Sequence, residues 1–137
     1  MTQTTVAALQ IGSLPTGKAD TLDLILSYET AIIEAGAKLV VLPEAVLGGY
    51  PKGEIFGTRL GYRLPEGRDA FATYYDNAVD VPGPETDALA GLSTRTGAVL
   101  VVGVIERAGN FFHNPNALFG CHEAALGFEI LAGNVLH

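Results

Sequence analysis

The stretch that decides the fold occupies residues 36–51 and reads GAKLVVLPEAVLGGYP. Within it, residues 38–42 form a continuous and mainly aliphatic run of strand length, which Pro43 ends. Such a run, without polar alternation, is typical of a parallel strand that is covered on both faces. Glu44 follows at once, so we expect its carboxylate at the carboxyl edge of the sheet, where open α/β sheets hold their ligands.

The sequence before this stretch predicts a strand and a helix. Residues 5–10 are β-branched at their start and are followed by Gly12 and Pro15, which indicates a buried opening strand. Apolar residues recur at three- and four-residue intervals over residues 21–35, which predicts a helix, and Gly36 offers it a left-handed cap. The order strand, helix, strand indicates an α/β fold.

The sequence after this stretch predicts a loop and then a further helix and strand. Glycines and a proline over residues 48–53 leave no regular ladder and predict a loop, and residues 68–78 are compatible with a helix. Residues 85–96 begin with acidic residues and end before a glycine, which predicts a helix. Residues 98–105 give the strongest strand signal in the chain, and their unbroken apolarity again implies a sheet covered on both faces.

The composition excludes several classes of function. The chain has 137 residues, of which 48% are hydrophobic, and this is enough for one packed domain. Its formal net charge of -7 would repel a polyanion, so we expect no nucleic-acid binding. The apolar runs are too short to span a bilayer and the N-terminus has no basic start, so we expect no membrane association and a cytoplasmic location. The single cysteine, Cys121, excludes an internal disulfide.

Position alone leaves two interpretations of Glu44 open. A carboxylate that is half-buried beside apolar walls could have its pKa raised toward neutrality and act as a proton acceptor near pH 7. The alternative is a solvated glutamate that merely begins a loop. The spacing of the residues does not decide between them.

A resemblance favours the first interpretation. Residues 36–51 resemble the first signature of the nitrilase family of carbon–nitrogen hydrolases, in which the glutamate at the position of Glu44 is the general base. Several later segments are similar to the part that marks nitrilases within the wider superfamily, or to other family segments at their expected places: residues 52–53, 56–57, 61–63, 67–69, 71–74, 81–86 and 103–107. The resemblance runs from residue 5 to residue 109.

The resemblance implies a fold and a mode of association. The family fold is an αββα four-layer sandwich, and this chain would supply about its first half. Unpaired strand edges and an uncovered sheet face favour association with another chain. Because family members form dimers and often spiral homo-oligomers, we expect a homo-oligomer rather than a monomer.

The resemblance also implies a mechanism on a small-molecule nitrile, without a cofactor or metal. A cysteine thiolate attacks the nitrile carbon to give a thioimidate, which loses ammonia and is hydrolysed as an acyl-enzyme. The glutamate takes the thiol proton and later activates water. A lysine stabilises the charge that develops on the substrate.

The lysine and the cysteine of this mechanism have no clear counterparts in the chain. The sequence contains no lysine after Lys52, which in the resemblance belongs to the loop after the glutamate. Cys121 comes too early in the chain and lacks the expected strand before it, so a buried or incidental thiol is the favoured interpretation. A metal site that combines Cys121 with the three histidines is not expected, because their spacing fits no compact zinc pattern.

The composition changes where the resemblance ends. All eight lysines and arginines lie at or before Arg107, whereas all three histidines and the only cysteine lie after it. We therefore divide the chain into residues 1–109, the N-terminal part of a carbon–nitrogen hydrolase domain, and residues 110–137, a divergent tail. The simplest hypothesis is a truncated or frame-shifted gene whose product is inactive alone.

Several alternatives stay open at this point. Tyr50 and Tyr62 are candidates for lining the substrate entrance, but both could equally be packing residues. The sequence does not identify the nitrile. The chain could also be a non-catalytic remnant or an oligomerising module of the same fold, or a cyanide-degrading or amidase relative.

Overall fold

The fold is built around one four-stranded sheet with helices packed against it. The computed structural model describes residues 3–49, 58–59, 62–108, 111–113 and 116–119, with side chains over residues 3–49 and 64–107. In chain order the described elements are β1 (Val6–Ala8), α1 (Lys18–Leu26), α2 (Glu29–Ala35), β2 (Leu39–Val41), β3 (Thr58–Arg59), β4 (Tyr62–Arg63), α3 (Pro65–Asn77), α4 (Pro84–Thr96), β5 (Val99–Gly103), β6 (Glu106–Ala108), β7 (Phe111–His113) and β8 (Asn116–Phe119). The predicted α/β class is confirmed.

The sheet has the strand order β1-β2-β5-β8. Strands β1, β2 and β5 are parallel, with Val40 opposite Ala7 on one side and Leu100 on the other. Strand β8 then pairs antiparallel with β5 and brings Phe119 opposite Leu100. Because the three parallel strands end at the same edge, the segments that follow β1, β2 and β5 are brought together there.

Helices α1, α2 and α4 cover one face of this sheet. Their buried residues Ile25, Ile32, Leu89 and Leu92 belong to the same hydrophobic cluster as Val40, Leu100 and Val102 of the strands. The removal of these apolar side chains from water is the main force that holds the helices on the sheet. Every second strand residue therefore contributes to the core.

The opposite face of the sheet is only partly covered. Val6 of β1 is 59% exposed and Val41 of β2 is 39% exposed, and Leu39, Val99 and Val101 on the same face are half-buried. The prediction that β2 and β5 are covered on both faces is therefore wrong for the structure as described. The physical reason is that α1, α2 and α4 all pack on the other face, so that no helix among the described residues covers the alternate strand residues.

The predicted helix over residues 21–35 is divided into α1 and α2. The Ser27 N–H donates to Asp23 O at 3.0 Å and the Tyr28 N–H donates to Ile25 O at 3.2 Å, so the ladder tightens at this point. The Ser27 hydroxyl also donates to Leu24 O at 2.6 Å, which is the kind of local bond that competes with a regular helix. The predicted left-handed cap is confirmed, because Gly36 has a φ of 64°.

The other predicted elements are present with shifted ends. Helix α3 covers most of residues 68–78 but begins earlier, because Pro65 has the fixed φ that suits the first helical position. Helix α4 and strand β5 confirm the predictions over residues 85–96 and 98–105. Strands β3, β4, β6, β7 and β8 were not predicted. Strand β8 ends two residues before Cys121, so the expectation that no strand precedes this cysteine is wrong.

Candidate active site

Glu44 lies in the turn that follows β2, at the carboxyl edge of the parallel strands. Leu42 extends the ladder by donating its N–H to Val101 O at 2.8 Å, and Pro43 then interrupts it. The expected place of Glu44 is thus observed, but its expected half-burial is wrong, because the side chain is exposed. The contacts that Ser13 and Gly103 make with this turn are with its backbone, and they leave the carboxylate at the surface.

The turn is tied to the end of β5 by backbone hydrogen bonds. Leu47 N–H donates to Gly103 O at 3.2 Å, and Ile105 N–H donates to Leu47 O at 2.8 Å. Leu47 thereby forms a parallel bridge with Val104. Since Leu47 and Val104 are both fully buried, the chain after Glu44 is held against the hydrophobic core rather than left as a free loop.

The backbone of this turn is strained at one non-glycine residue. Ala45 has a φ of 50°, which lies in the left-handed region that L-residues usually avoid. A conformation of this kind costs of order 1–3 kcal/mol and persists only where the surroundings impose it. Here Gly49 N–H donates to Ala45 O at 3.0 Å, and the Ala45 side chain is buried.

The two glycines after the turn are required by the backbone. Gly48 has a φ of 103° and Gly49 a φ of 79°, and a β-carbon on Gly48 would lie 2.6 Å from the Ile105 β-carbon. The predicted loop is therefore confirmed for these two residues. The rest of the predicted loop lies outside the described residues.

Ser13 supports the turn from the loop after β1. Its hydroxyl lies 2.8 Å from Val46 O and 3.3 Å from Ala45 O, and it donates to these carbonyls. The contact joins the segment after β1 to the segment that carries Glu44. Ser13 was not predicted as a functional residue, because a single serine in a loop gives no local signal of such a contact.

Gly103 of β5 supports the turn, because its lack of a side chain lets the turn lie against the strand. A β-carbon placed on this residue would lie 2.5 Å from Pro43 O, 2.6 Å from Ala45 N and 2.6 Å from Glu44 Cα. The backbone around Glu44 therefore lies directly on β5 at this point. An isolated glycine inside a strand pattern is a known sign of a close backbone approach, so this residue could have been identified from the sequence.

A small cleft of about 40 Å³ lies beside the two glycines of the turn. Its lining includes Ser13, Lys18, Gly48 and Asn77. The Lys18 ammonium donates to Ala78 O at 2.9 Å and lies 3.2 Å from a carboxylate oxygen of Glu85. These contacts make Lys18 a link between α1, α3 and α4, and they give no reason to assign it the role of the family's catalytic lysine.

An exposed ion pair fixes the path of the chain after β5. Arg107 Nε donates to Asp80 Oδ1 at 2.9 Å and Nη2 to Oδ2 at 2.6 Å, while the guanidinium lies 5.2 Å from the centre of the Tyr75 ring. The hydrogen bond from Arg107 is the main cause that lowers the pKa of Asp80. The same bond raises the pKa of Arg107.

The other candidate residues lie wholly or partly outside the described residues. Tyr50, Lys52 and Cys121 are among the residues whose placement is not described, and Tyr62 is described only as backbone in β4. Over the part of the chain that carries described side chains, no group of three or more His, Cys, Asp or Glu residues could hold a metal ion. Among the helices that the structure describes, none combines the length and apolarity of a membrane-crossing segment.

The chain is similar in sequence to several nitrilases. It is 40% identical to a nitrilase of Bradyrhizobium diazoefficiens over 123 residues, which cover 85% of this chain and 38% of the relative. It is 38% identical to an aliphatic nitrilase of Sinorhizobium fredii, over 89% of this chain and 42% of the relative. A bifunctional nitrilase/nitrile hydratase of Nicotiana tabacum is 46% identical over 75% of this chain and 32% of the relative. The chain therefore spans well under half the length of these proteins.

Solved structures show the same fold at low sequence identity. A carbon-nitrogen hydrolase from Helicobacter pylori matches 83% of this chain and 34% of its own chain with a TM-score of 0.51 and 18% identity. A glutamine-dependent NAD(+) synthetase from Cytophaga hutchinsonii matches 84% of this chain and 17% of its own with a TM-score of 0.50 and 14% identity. The sequence profile described as carbon-nitrogen hydrolase matches residues 5–125. With Glu44 at the edge of the parallel strands and this match along most of its length, the chain belongs to the carbon–nitrogen hydrolase family.

Proposed function

We propose that this chain carries the general base, Glu44, of a hydrolase that converts a nitrile to a carboxylic acid and ammonia. The observation that carries the proposal is the constrained turn after β2, which holds Glu44 at the carboxyl edge of the sheet. A catalytic base must be held in a defined place relative to the bond that reacts, and a strained, multiply anchored turn is suited to that purpose. The similarity to nitrilases supports the choice of substrate class.

In the proposed reaction, Glu44 acts twice as a proton acceptor. It first takes the proton of a cysteine thiol as the sulfur forms a bond to the nitrile carbon. This proton then passes to the nitrile nitrogen as one carbon–nitrogen π-bond breaks, which gives a thioimidate and returns Glu44 to its ionised form. Water then adds to this carbon and ammonia leaves, which gives a thioester. Glu44 next takes a proton from a second water, whose oxygen forms a bond to the thioester carbon. The carbon–sulfur bond breaks, the proton passes to the departing thiolate, and the carboxylic acid is released.

We propose that the chain does not perform this reaction alone. The sequence has no lysine after Lys52, and the one cysteine lies outside the described residues. Our hypothesis for this gap is a frame shift near codon 109, where the composition changes. Because the family match runs on to residue 125, the check is to translate the other two frames downstream of codon 109 and also downstream of codon 125. Lysine- and cysteine-bearing family motifs in either frame would support the hypothesis, and their absence from both would sink it.

The enzymatic test uses ammonia release from a panel of aliphatic and aryl nitriles. We expect no measurable release from the 137-residue chain. We expect release from a chimera in which residues 1–108 are joined, at the aligned position, to the remainder of the Bradyrhizobium diazoefficiens nitrilase. In this chimera Glu44→Gln should lower kcat by at least about 100-fold, the usual contribution of a general base.

The matched control is Glu34→Gln. Glu34 is an exposed glutamate near the end of α2, which leads into the start of β2, whereas Glu44 follows the end of β2. It should leave the rate unchanged. Identification of the product as acid or amide separates nitrile hydrolysis from hydration. An active chimera that tolerates Glu44→Gln would contradict the assigned role, and Glu44-dependent turnover by the chain alone would contradict the proposed lack of partner groups.

The partly uncovered sheet face favours a second property, self-association. Val6 and Val41 lie on neighbouring strands and both are exposed. We propose that a second copy of the chain covers this face, so that the chain forms at least a dimer, whether or not it is catalytic. We separately propose a cytoplasmic location, because a chain with a single cysteine forms no internal disulfide and suits a reducing compartment.

A further inference from the structure

Gly103 lies at the end of β5, where the turn that carries Glu44 crosses the strand. All three atoms that a β-carbon on Gly103 would approach within 2.6 Å belong to the backbone of residues 43–45. Side-chain rotation could not relieve such contacts, because backbone atoms move only if the turn itself moves. The space beneath the turn thus exists only because residue 103 has no side chain.

The reason for glycine at this position is space rather than conformation. Gly103 is not among the glycines with a positive φ, and it takes part in the regular register of β5 with β8. Any L-residue could adopt this backbone. A glycine inside a strand weakens it, so its presence opposite Glu44 indicates that the close approach is what this position requires.

Two hydrogen bonds also hold the same turn. The Ser13 hydroxyl donates to Val46 O, and Leu47 N–H donates to Gly103 O. The backbone after Glu44 is therefore held between the loop after β1 and the end of β5. A displacement at Gly103 would be transmitted to Glu44 directly, because the Glu44 Cα is one of the three backbone atoms that a β-carbon on Gly103 would meet.

We propose that Gly103 is a positioning residue for Glu44: the lack of a β-carbon at residue 103 seats the turn on β5 and sets the direction in which the Glu44 carboxylate leaves the sheet. The importance of this direction rests on the proposed role of Glu44 as general base. The seating itself does not depend on that role. It can therefore be tested without turnover.

The test follows the methyl resonance of Ala45 in the full 137-residue chain labelled at its alanine methyl groups. This resonance is assigned by its loss in Ala45→Gly, and it reports on the left-handed conformation next to Glu44. Gly103→Ala should displace it and lower Tm. Gly12→Ala is the matched glycine control, because a β-carbon on Gly12 meets nothing within 4 Å.

A second control separates loss of position from loss of stability. Val102→Ala truncates a fully buried neighbour in the same strand, so it should lower Tm but leave the Ala45 resonance in place. An unmoved Ala45 resonance in folded Gly103→Ala would overturn the proposal. So would an equal displacement in Val102→Ala.

A rescue variant covers the case in which Gly103→Ala does not fold. Ala45→Gly frees the backbone of the turn, so Gly103→Ala combined with Ala45→Gly should recover part of the lost Tm, by more than Ala45→Gly adds to the unchanged chain. Val102→Ala should show no such rescue. A combined variant no more stable than Gly103→Ala alone would overturn the proposal, whereas failure of the ammonia-release test would leave this result intact and remove only its catalytic meaning.

Discussion

Asp80 and Arg107 form a two-bonded ion pair whose effect on stability should depend on pH. The pair is exposed on the Asp80 side, where the side chain is 52% accessible, so solvent screens much of the attraction. The folded state holds the pKa of Asp80 below its ordinary value of 3.8, mainly through the hydrogen bond from Arg107. A carboxyl group with a lowered pKa stabilises the fold fully above its unfolded pKa and loses this contribution as the pH falls through the folded pKa.

We therefore expect Asp80→Asn to destabilise the chain slightly at pH 7, and the difference from the unchanged chain to shrink as the pH falls below about 4. Urea unfolding at a series of pH values measures this difference. Asp23→Asn, an exposed aspartate of α1, is the control and should show a smaller effect. A loss from Asp80→Asn that stays constant down to pH 2 would contradict the assignment.

Single residues also show what sequence reasoning can and cannot find. Glu44 was placed correctly, because the end of an apolar run marks the edge of a sheet. The exposure of Glu44 was not predicted, because burial depends on segments that are distant in the sequence. Gly103 was visible as a glycine inside a strand, whereas Ser13 acts through a contact with Val46, 33 residues away, that no local pattern encodes.

Among the elements, α4 contributes most directly to the core under β5. Leu89 and Leu92 are fully buried against the strands. We expect Leu89→Ala to lower the free energy of unfolding by about 2–5 kcal/mol, because the truncation leaves a cavity that the neighbours fill only in part.

Thr94→Ala is the control for Leu89→Ala on the same helix. Thr94 is exposed and its hydroxyl donates back to Ala90 O at 3.0 Å, a bond that adds little to a helix, so this change should be nearly neutral. Urea denaturation of both variants gives the comparison. A loss below about 1 kcal/mol for Leu89→Ala would be too small for a packed core position.

The elements that were predicted are those with a long periodic or apolar signal. Residues 85–96 and 98–105 carry such signals, and α4 and β5 appear there. The break between α1 and α2 was missed, because it depends on hydrogen bonds of Ser27 rather than on apolar spacing. Strand β8 has four residues and no alternation that would distinguish it from a loop, so only its pairing with β5 defines it.

At the scale of the whole molecule, the exposed sheet face should govern association. We expect the chain to sediment as a dimer or larger species, and Val41→Lys to increase the monomer fraction, because a charge on this face opposes its burial against a second copy. Ile33→Lys is the control, since Ile33 is 51% exposed on α2, away from that face. A monomer in the unchanged chain, or an equal response to both variants, would contradict the proposal.

The link between the Glu44 turn and β5 has a consequence for the order in which the protein is made. Leu47 can complete its hydrogen bonds only after Gly103 and Ile105 have been synthesised, about 60 residues after Glu44. At a translation rate of about 5–20 residues per second, the nascent chain would wait roughly 3–12 s before the turn could form. During this interval β1 and β2 can pair, but the geometry around Glu44 is not yet determined. The turn that carries Glu44 therefore acquires its place only after β5 has been made, although Glu44 itself is synthesised much earlier.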